Sequence, residues 1–201
     1  MLENNLIKKK KRKYKSFRGQ KNTNVDNVLN RDFSTNSPYQ KLGTDITYFV
    51  IPKGKLYLSP IIDFHTREVL AYDLSRKPNF NQIKRMMNNL VLTHGDMIKD
   101  SHMQSDQGWQ YQMKWYQLEL EKLGIEQSMS RRGNCLDNSP TENFFGRMKV
   151  EMFNNRTFDS LEHLEDEIHK YLKYYNEERI VTKLKTSPLT YRARFYNHTN
   201  T

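Results

Sequence analysis

Residues 45–75 read DITYFVIPKGKLYLSPIIDFHTREVLAYDLS, and their phasing decides the fold class. DITYFVI (45–51) is β-branched and aromatic, which predicts a strand, and PKGK is a turn. KLYLSPIIDF (55–64) predicts a second strand. Pro60 weakens it or marks an edge, because proline has no N–H to give to a ladder. REVLAYDLS (67–75) alternates as a third strand. Three strands joined by short turns make an antiparallel meander.

Downstream the pattern changes. NFNQIKRMMNNLVLTHG (79–95) carries apolar residues at 83, 86, 87, 90 and 91, on one face of a helix that Gly95 ends. SHMQS (101–105) predicts a short strand, WQYQMKWYQLELEKLG (109–124) a helix closed by Gly124, and IEQSMS (125–130) another strand. A helix over 139–153 and a long amphipathic helix over 161–179 follow, then a polar tail containing Ser187-Pro188. The order β-β-β-α-β-α-β-α-α predicts an α/β mixed sheet, a meander plus parallel strands, with helices on its faces. The ribonuclease H-like fold has this order, and other α/β folds share it. Residues 22–41 are polar and read as a linker, with order expected from about Leu42.

Composition narrows the setting. A chain of 201 residues, 36% hydrophobic, suffices for one domain with a full core. No apolar run approaches the roughly 18 residues that span a bilayer, and no apolar segment follows the charges of MLENNLIKKKKRKYK, which excludes a secretory signal. The single cysteine, Cys135, cannot form an intrachain disulfide and fits a reducing compartment. The expectation is a soluble, cytoplasmic protein without membrane contact. The net charge is +10, and nine of the 33 Lys and Arg fall in KKKKRKYKSFRGQK (8–21). The remainder nearly balances the 23 Asp and Glu, so the basicity is a local arm led by Lys8, Lys9, Lys10, Lys11, Arg12 and Lys13. Such an arm suits phosphate backbones, where released counterions supply affinity.

Three acids sit at element ends. Asp45 opens the first strand, Asp106 follows the fourth, and Glu142 lies in the first turn of the 139–153 helix. Carboxylates so placed can converge on a hard cation such as Mg²⁺. Two such ions activate the attacking oxygen and stabilise the leaving oxygen of a phosphodiester. The 35 residues between Asp106 and Glu142 are weak evidence, since Asp32 and Glu68 share that separation. Local context says more: Asn138, Glu142 and Lys149 fall on one helical stripe about 40° wide, bordering the apolar Phe144, Phe145, Met148 and Met152. Ser139-Pro140-x-Glu142 is also a capping box, in which Glu142 folds back onto its own helix start. Capping and ligation compete for this one side chain. Arg131 and Arg132, before the Gly133 loop, are equally suited to DNA and to solvent. His163, His169 and Cys135 lack the partners of a zinc site.

LGTDITYF, IIDFHTREVLAYDLS, SDQGWQYQ, GIEQSMSRRGNCLDNSPTENFFGRMKVEMF and YYNEERI together resemble bacterial insertion-sequence transposases of the IS-three family, OrfB type, with a retroviral-integrase-like core. The resemblance covers about residues 30–195. It implies a DDE triad of Asp45, Asp106 and Glu142 holding two Mg²⁺ or Mn²⁺ ions, and a Lys149 that contacts the transposon end. Asn138, Gln107, Gly108 and Tyr111 match supporting positions, and Asp63 a position of structural role. The implied activity is metal-dependent DNA cleavage and strand transfer by a homo-oligomer on DNA, nucleoid-associated when bound. The implied division is a basic arm and linker (1–41), an integrase-type core (42–155) and a C-terminal helix and tail packed on it (156–201). Leu42 and Gln104 stand where the family usually has tryptophan and histidine, and Gln104 is expected to alter a hydrogen bond near the metal. Family proteins of this type carry helix-turn-helix material before the core. A truncated frame is therefore expected, with a partner from an upstream reading frame.

Overall fold

The computed structural model describes residues 25–199. Six strands form one mixed sheet: β1 Lys41–Thr44, β2 Thr47–Ile51, β3 Gly54–Asp63, β4 Val69–Ser75, β5 His102–Ser105 and β6 Glu126–Met129. Strands β2, β3 and β4 are the expected meander; β5 joins β1 in parallel and β6 joins β5 in parallel. Helices α1 Phe80–His94 and α2 Lys114–Lys122 pack on one face, α3 Ser139–Met148 and α4 Leu161–Glu177 on the other. Alternation along the strands divides the core accordingly. Phe49, Ile51, Leu56 and Leu58 meet the α3–α4 layer, whereas Leu42 and Ile61 meet α1 and α2.

The first strand differs from expectation in an informative way. Asp45 does not open it but interrupts it. The β1–β3 register, Leu42↔Asp63, continues without a slip into the β2–β3 register, Thr47↔Leu58, so β1 and β2 are one strand broken at Asp45 and Ile46. The Phe64 N–H donates to the Lys41 carbonyl at 2.9 Å. Hydrogen-bonded pairs recur at every second residue of an antiparallel ladder, which brings Asp45 and Pro60 opposite each other as such a pair. Pro60 has no N–H to give, and the ladder opens there. Pro60 is thus not at an edge: β3 pairs with β1 and β2 on one side and β4 on the other.

Three other stretches depart from the sequence reading. Residues 25–40 hold no strand or helix, yet Leu29 and Tyr39 are buried and Phe33 meets Phe64 edge-on. Isolated anchors of this kind have no periodicity to detect. The second helix begins at Lys114 rather than Trp109, because residues before it turn so that Tyr111 is buried. The polar tail forms a fifth helix, α5 Pro188–Thr199, whose Arg192 donates to the Tyr39 hydroxyl at 2.8 Å and pairs with Glu68 at 3.0 Å. Asp63 is structural, as expected: its carboxylate accepts the His65 and Tyr39 N–H groups and the Thr66 hydroxyl.

Helix α3 lies directly on β1 because Gly43 has no side chain. A Cβ there would stand 2.6 Å from Thr141 Oγ1 and closer still to the Phe64 ring. Gly43→Ala is expected to cost about 2 kcal/mol through overpacking and to lower the melting temperature by about 5 °C, measured by calorimetry.

Candidate active site

The parallel pairing of β1 with β5 sets the site. Its register runs Lys41↔His102, Leu42↔Met103 and Gly43↔Gln104; carried on two residues, it sets Asp45 beside Asp106 at the strand ends, on the face that α3 covers. The interruption of the first strand gives Asp45 room there, and its Oδ1 accepts the Ile46 N–H at 2.7 Å. Asp106 lies just past the end of β5, and its Oδ1 accepts the Gly108 N–H at 2.8 Å. Behind them Tyr111 is fully buried, its hydroxyl 3.4 Å from Thr44 Oγ1. The carbonyl of the exposed Gln107 accepts from Gln112.

Glu142 arrives on α3. The helix is entered from a 3-10 turn, Cys135–Asn138, so Ser139 is already helical (φ −55°, ψ −33°) and Asn138 occupies the cap position. Neither Ser139 nor Asn138 makes a side-chain cap bond, and Glu142 has no hydrogen-bond partner among the described residues. The capping-box reading is overturned. Asn138, 2% exposed, instead extends its Nδ2 towards the Thr44 carbonyl at 3.4 Å, and its buried Oδ1 has no partner among the described residues.

The turn before α3 is locked from both sides. Asp137 is buried, and its carboxylate accepts from Asn27 Nδ2 (3.0 Å), Arg31 Nε (2.7 Å) and both Nε (2.9 Å) and Nη2 (2.8 Å) of Arg131. The Arg131 guanidinium leads in holding this carboxyl well below the usual range. Gln104, fully buried, donates Nε2 to the Asp137 carbonyl (3.0 Å) and to Ser130 Oγ (3.1 Å), tying the strand of Asp106 to the helix of Glu142. Sequence reasoning missed Asp137, Asn27 and Arg31 altogether. It had read Arg131 as a DNA contact of even odds with solvent, and the structure commits its guanidinium to Asp137. Arg132 is exposed. Lys149 opens a π-helical turn, Lys149–Phe153, and its Nζ lies 5.9 Å from the centre of the Tyr48 ring. Lys8 to Lys13 lie outside the described residues.

The three carboxylates feel one another. Asp45 is pushed up to about 7, by burial first, then by the charges of Asp106 and Glu142. Burial also raises Asp106, and burial followed by the Asp106 charge raises Glu142. Among the described residues no group of three or more acidic, histidine or cysteine side chains is placed to hold a metal ion; Asp45 and Asp106 each turn one oxygen onto a backbone N–H. The donor set nevertheless fits a hard divalent cation: it is all oxygen, and its mutual repulsion is what such an ion relieves.

The chain is similar to known proteins over most of its length. A family model described as an integrase core domain matches residues 35–135, and a second so described matches 142–195. An uncharacterized transposase-like protein of Haemophilus influenzae is 51% identical over 94% of this chain and 87% of its own length. The putative transposase InsK for insertion sequence element IS150, from Escherichia coli, is 43% identical over 93% of this chain. The chain spans 66% of InsK, and 54% of the Escherichia coli transposase InsF for IS3A. The HTLV-2 integrase catalytic core domain, solved in complex with magnesium, superposes with a TM-score of 0.54 at 14% identity, covering 79% of this chain and 99% of that one. A chain of the simian T-cell lymphotropic virus intasome in complex with PP2A regulatory subunit B56 gamma gives a TM-score of 0.65 at 15% identity, covering 78% of this chain and 55% of that one. The fold is therefore the ribonuclease H-like arrangement of an integrase core.

The raised Asp45 carboxyl makes a prediction for the metal-free protein. Above pH 7 it is ionised in both folded and unfolded chains, and the fold carries the whole penalty. As pH falls from about 7 towards 4 only the folded chain protonates, and the penalty shrinks to nothing. Asp45→Asn, with chelator present, is expected to stabilise the fold by roughly 2–4 kcal/mol at pH 8 and to lose that advantage by pH 4, read from melting temperatures across the range.

Proposed function

The chain belongs to the integrase-core family of insertion-sequence transposases, IS-three family, OrfB type, and on that premise we propose that it cuts DNA at the ends of an insertion element and joins the freed ends to a target. Asp45, Asp106 and Glu142 are its catalytic carboxylates and hold two Mg²⁺ or Mn²⁺ ions. Bound there, the ions supply Lewis-acid stabilisation of charge on the attacking and leaving oxygens. The HTLV-2 core that shares the fold was solved in complex with magnesium, which supports the choice of ion.

Two displacements follow. In the first, water attacks phosphorus at the element end, the bond to the 3′ oxygen breaks, and that oxygen takes a proton and leaves as a 3′-hydroxyl. In the second, this hydroxyl loses its proton, attacks a target phosphodiester and displaces another 3′-hydroxyl. One phosphodiester is exchanged for another, and no bond to the protein forms. The chain's own residues hold the geometry. Asn138 and Gln104 keep α3 against the strand ends, Gly108 orients Asp106, and Tyr111 closes the floor beneath Asp45. Gln107 flanks the site. Lys149 and Arg132 offer charge to the DNA backbone, and Arg131 serves through Asp137. The arm of Lys8 to Lys13 adds sequence-independent affinity. Residues 42–155 form the catalytic unit and 156–201 buttress it. Among the described residues no helix is long and apolar enough to cross a membrane. The protein works on DNA as a homo-oligomer, with a helix-turn-helix partner supplying end recognition.

The observation that carries this reading is the strand register that sets Asp45 beside Asp106, with Glu142 electrostatically coupled to both. Asp45→Asn, Asp106→Asn and Glu142→Gln are each expected to lower cleavage and strand transfer at least about 100-fold, with the fold intact by circular dichroism. The assay is strand transfer on DNA carrying the element's terminal repeats. Full activity in Glu142→Gln would sink the assignment, and cut products without joined strands would reduce the protein to a nuclease.

A further inference from the structure

On the flank of α3 turned away from Glu142 lies a second cleft, of about 820 Å³. Arg31, Arg67, Arg147 and Lys183 line it, against a single acid, Asp32. Asp32 is already engaged by Lys41 at 3.0 Å and by the Ser34 N–H, also at 3.0 Å, and so does not neutralise the cations. Arg31 is committed in part to Asp137. Among the described residues the cationic groups of Arg67, Arg147 and Lys183 have no hydrogen-bond or ion-pair partner.

Arg67 says most about what belongs here. It is half-buried, on a turn where its backbone takes φ 63°, a conformation that glycine would adopt without strain. Asp63 holds that turn: its carbonyl takes the Arg67 N–H at 2.9 Å and its carboxylate takes the Thr66 hydroxyl at 2.9 Å. The turn therefore directs a half-buried guanidinium into the cleft, where the Asp63 carboxylate acts on its charge from behind but, among the described residues, no acid lies within ion-pair distance. Burial pushes this guanidinium down from its ordinary value. A charge withdrawn from water is normally paired, and an anion entering the cleft would meet the cations that line it.

We propose that this cleft takes a backbone phosphate of the DNA, on the flank of α3 opposite the carboxylates. The inference rests on the transposase reading for its choice of anion, but it uses different residues. Pro140, Asn143 and Arg147 line the cleft, on average about 130° round the helix from Glu142 at 100° per residue. A helix with its side chains is about 10 Å across, and phosphates along one strand advance about 3.4 Å each. Because that advance is measured along the duplex axis, a duplex whose axis runs over the start of α3 from the carboxylates to the cleft covers this width in roughly three base pairs. A contact of this kind fixes register on the DNA and reads no base.

The test measures binding, not cutting. The full chain carrying Glu142→Gln is titrated with a fluorescent duplex of arbitrary sequence over a series of salt concentrations, with chelator present. Adding Arg147→Gln and Lys183→Gln, both at exposed positions, is expected to weaken binding and to make the plot of log affinity against log salt shallower by about two. Arg67→Gln is expected to weaken binding further. Its melting temperature is followed alongside, because the turn is partly buried. A control pair, Lys77→Gln with Lys173→Gln, removes the same charge from exposed residues that do not line the cleft. If the cleft pair changes the slope no more than the control pair, the proposal is overturned. A wild-type chain that binds with the full slope but never cuts would instead reject the transposase reading and leave the cleft standing.

Discussion

Everything that brings Glu142 to the strand ends depends on one buried carboxylate. Asp137 stands between Arg31 and Arg131 and also takes Asn27 Nδ2, while its own carbonyl takes the amide of Gln104. A carboxylate can be withdrawn from water only when its lone pairs are met by charged donors, and here four side-chain N–H groups do so. The segment before β1, the loop after β6 and the turn into α3 are thereby tied to one another. Removing either arginine alone leaves the fold with a buried charge only partly compensated, so the loop cannot drift without a large cost.

The second constraint is a missing hydrogen bond. Pro60 stands in the middle of the sheet, where proline is normally excluded, and its lack of an N–H opens the ladder opposite Asp45. A regular ladder would hold that backbone in the pleat. The Asp45 carbonyl receives no N–H from Pro60, while the Ile46 N–H, on the side of the strand away from β3, bonds the Asp45 carboxylate, beside the similarly held Asp106. Gly43, two residues earlier, then admits α3 at close range. The sheet gives up local regularity at the one place where three like charges are gathered. Interior carboxylates raised by burial first, and for Asp45 and Glu142 also by neighbouring carboxylates, are a recurrent mark of functional sites.

Legibility in the sequence followed the strength of each periodic signal. Strands β3 and β4 and helices α1 and α4 were readable because alternation or a 3.6-residue face runs through them. Helix α5 was not, since TSPLTYRARFYNHT shows no apolar stripe and is held by Arg192, Tyr191 and Phe195 through polar and ring contacts. Residues 25–40 were not, because a buried leucine and tyrosine ten residues apart make no pattern. The three acids were legible only as candidates, through their local contexts and the family resemblance. Their adjacency was not, because parallel register is a long-range property. Asp137 was invisible for a related reason: its partners Arg31 and Arg131 lie 106 and 6 residues away. Ser139-Pro140-x-Glu142 misled on capping, because a 3-10 turn extends the helical path back past the serine.

The crossover between β1 and β5 has a consequence for timing. Asp45 and Asp106 become neighbours only after the chain between them, about sixty residues including the β-meander and α1, has closed its loop and the parallel strands have zipped. Glu142 joins later in the chain, on a helix that lies against β1 and the core formed by β2, β3 and α4. A nascent or partly unfolded chain has two isolated aspartates and an unanchored helix, which is no site at all. Completion of the fold is thus itself a safeguard, for the carboxylates assemble only once the core around them is finished.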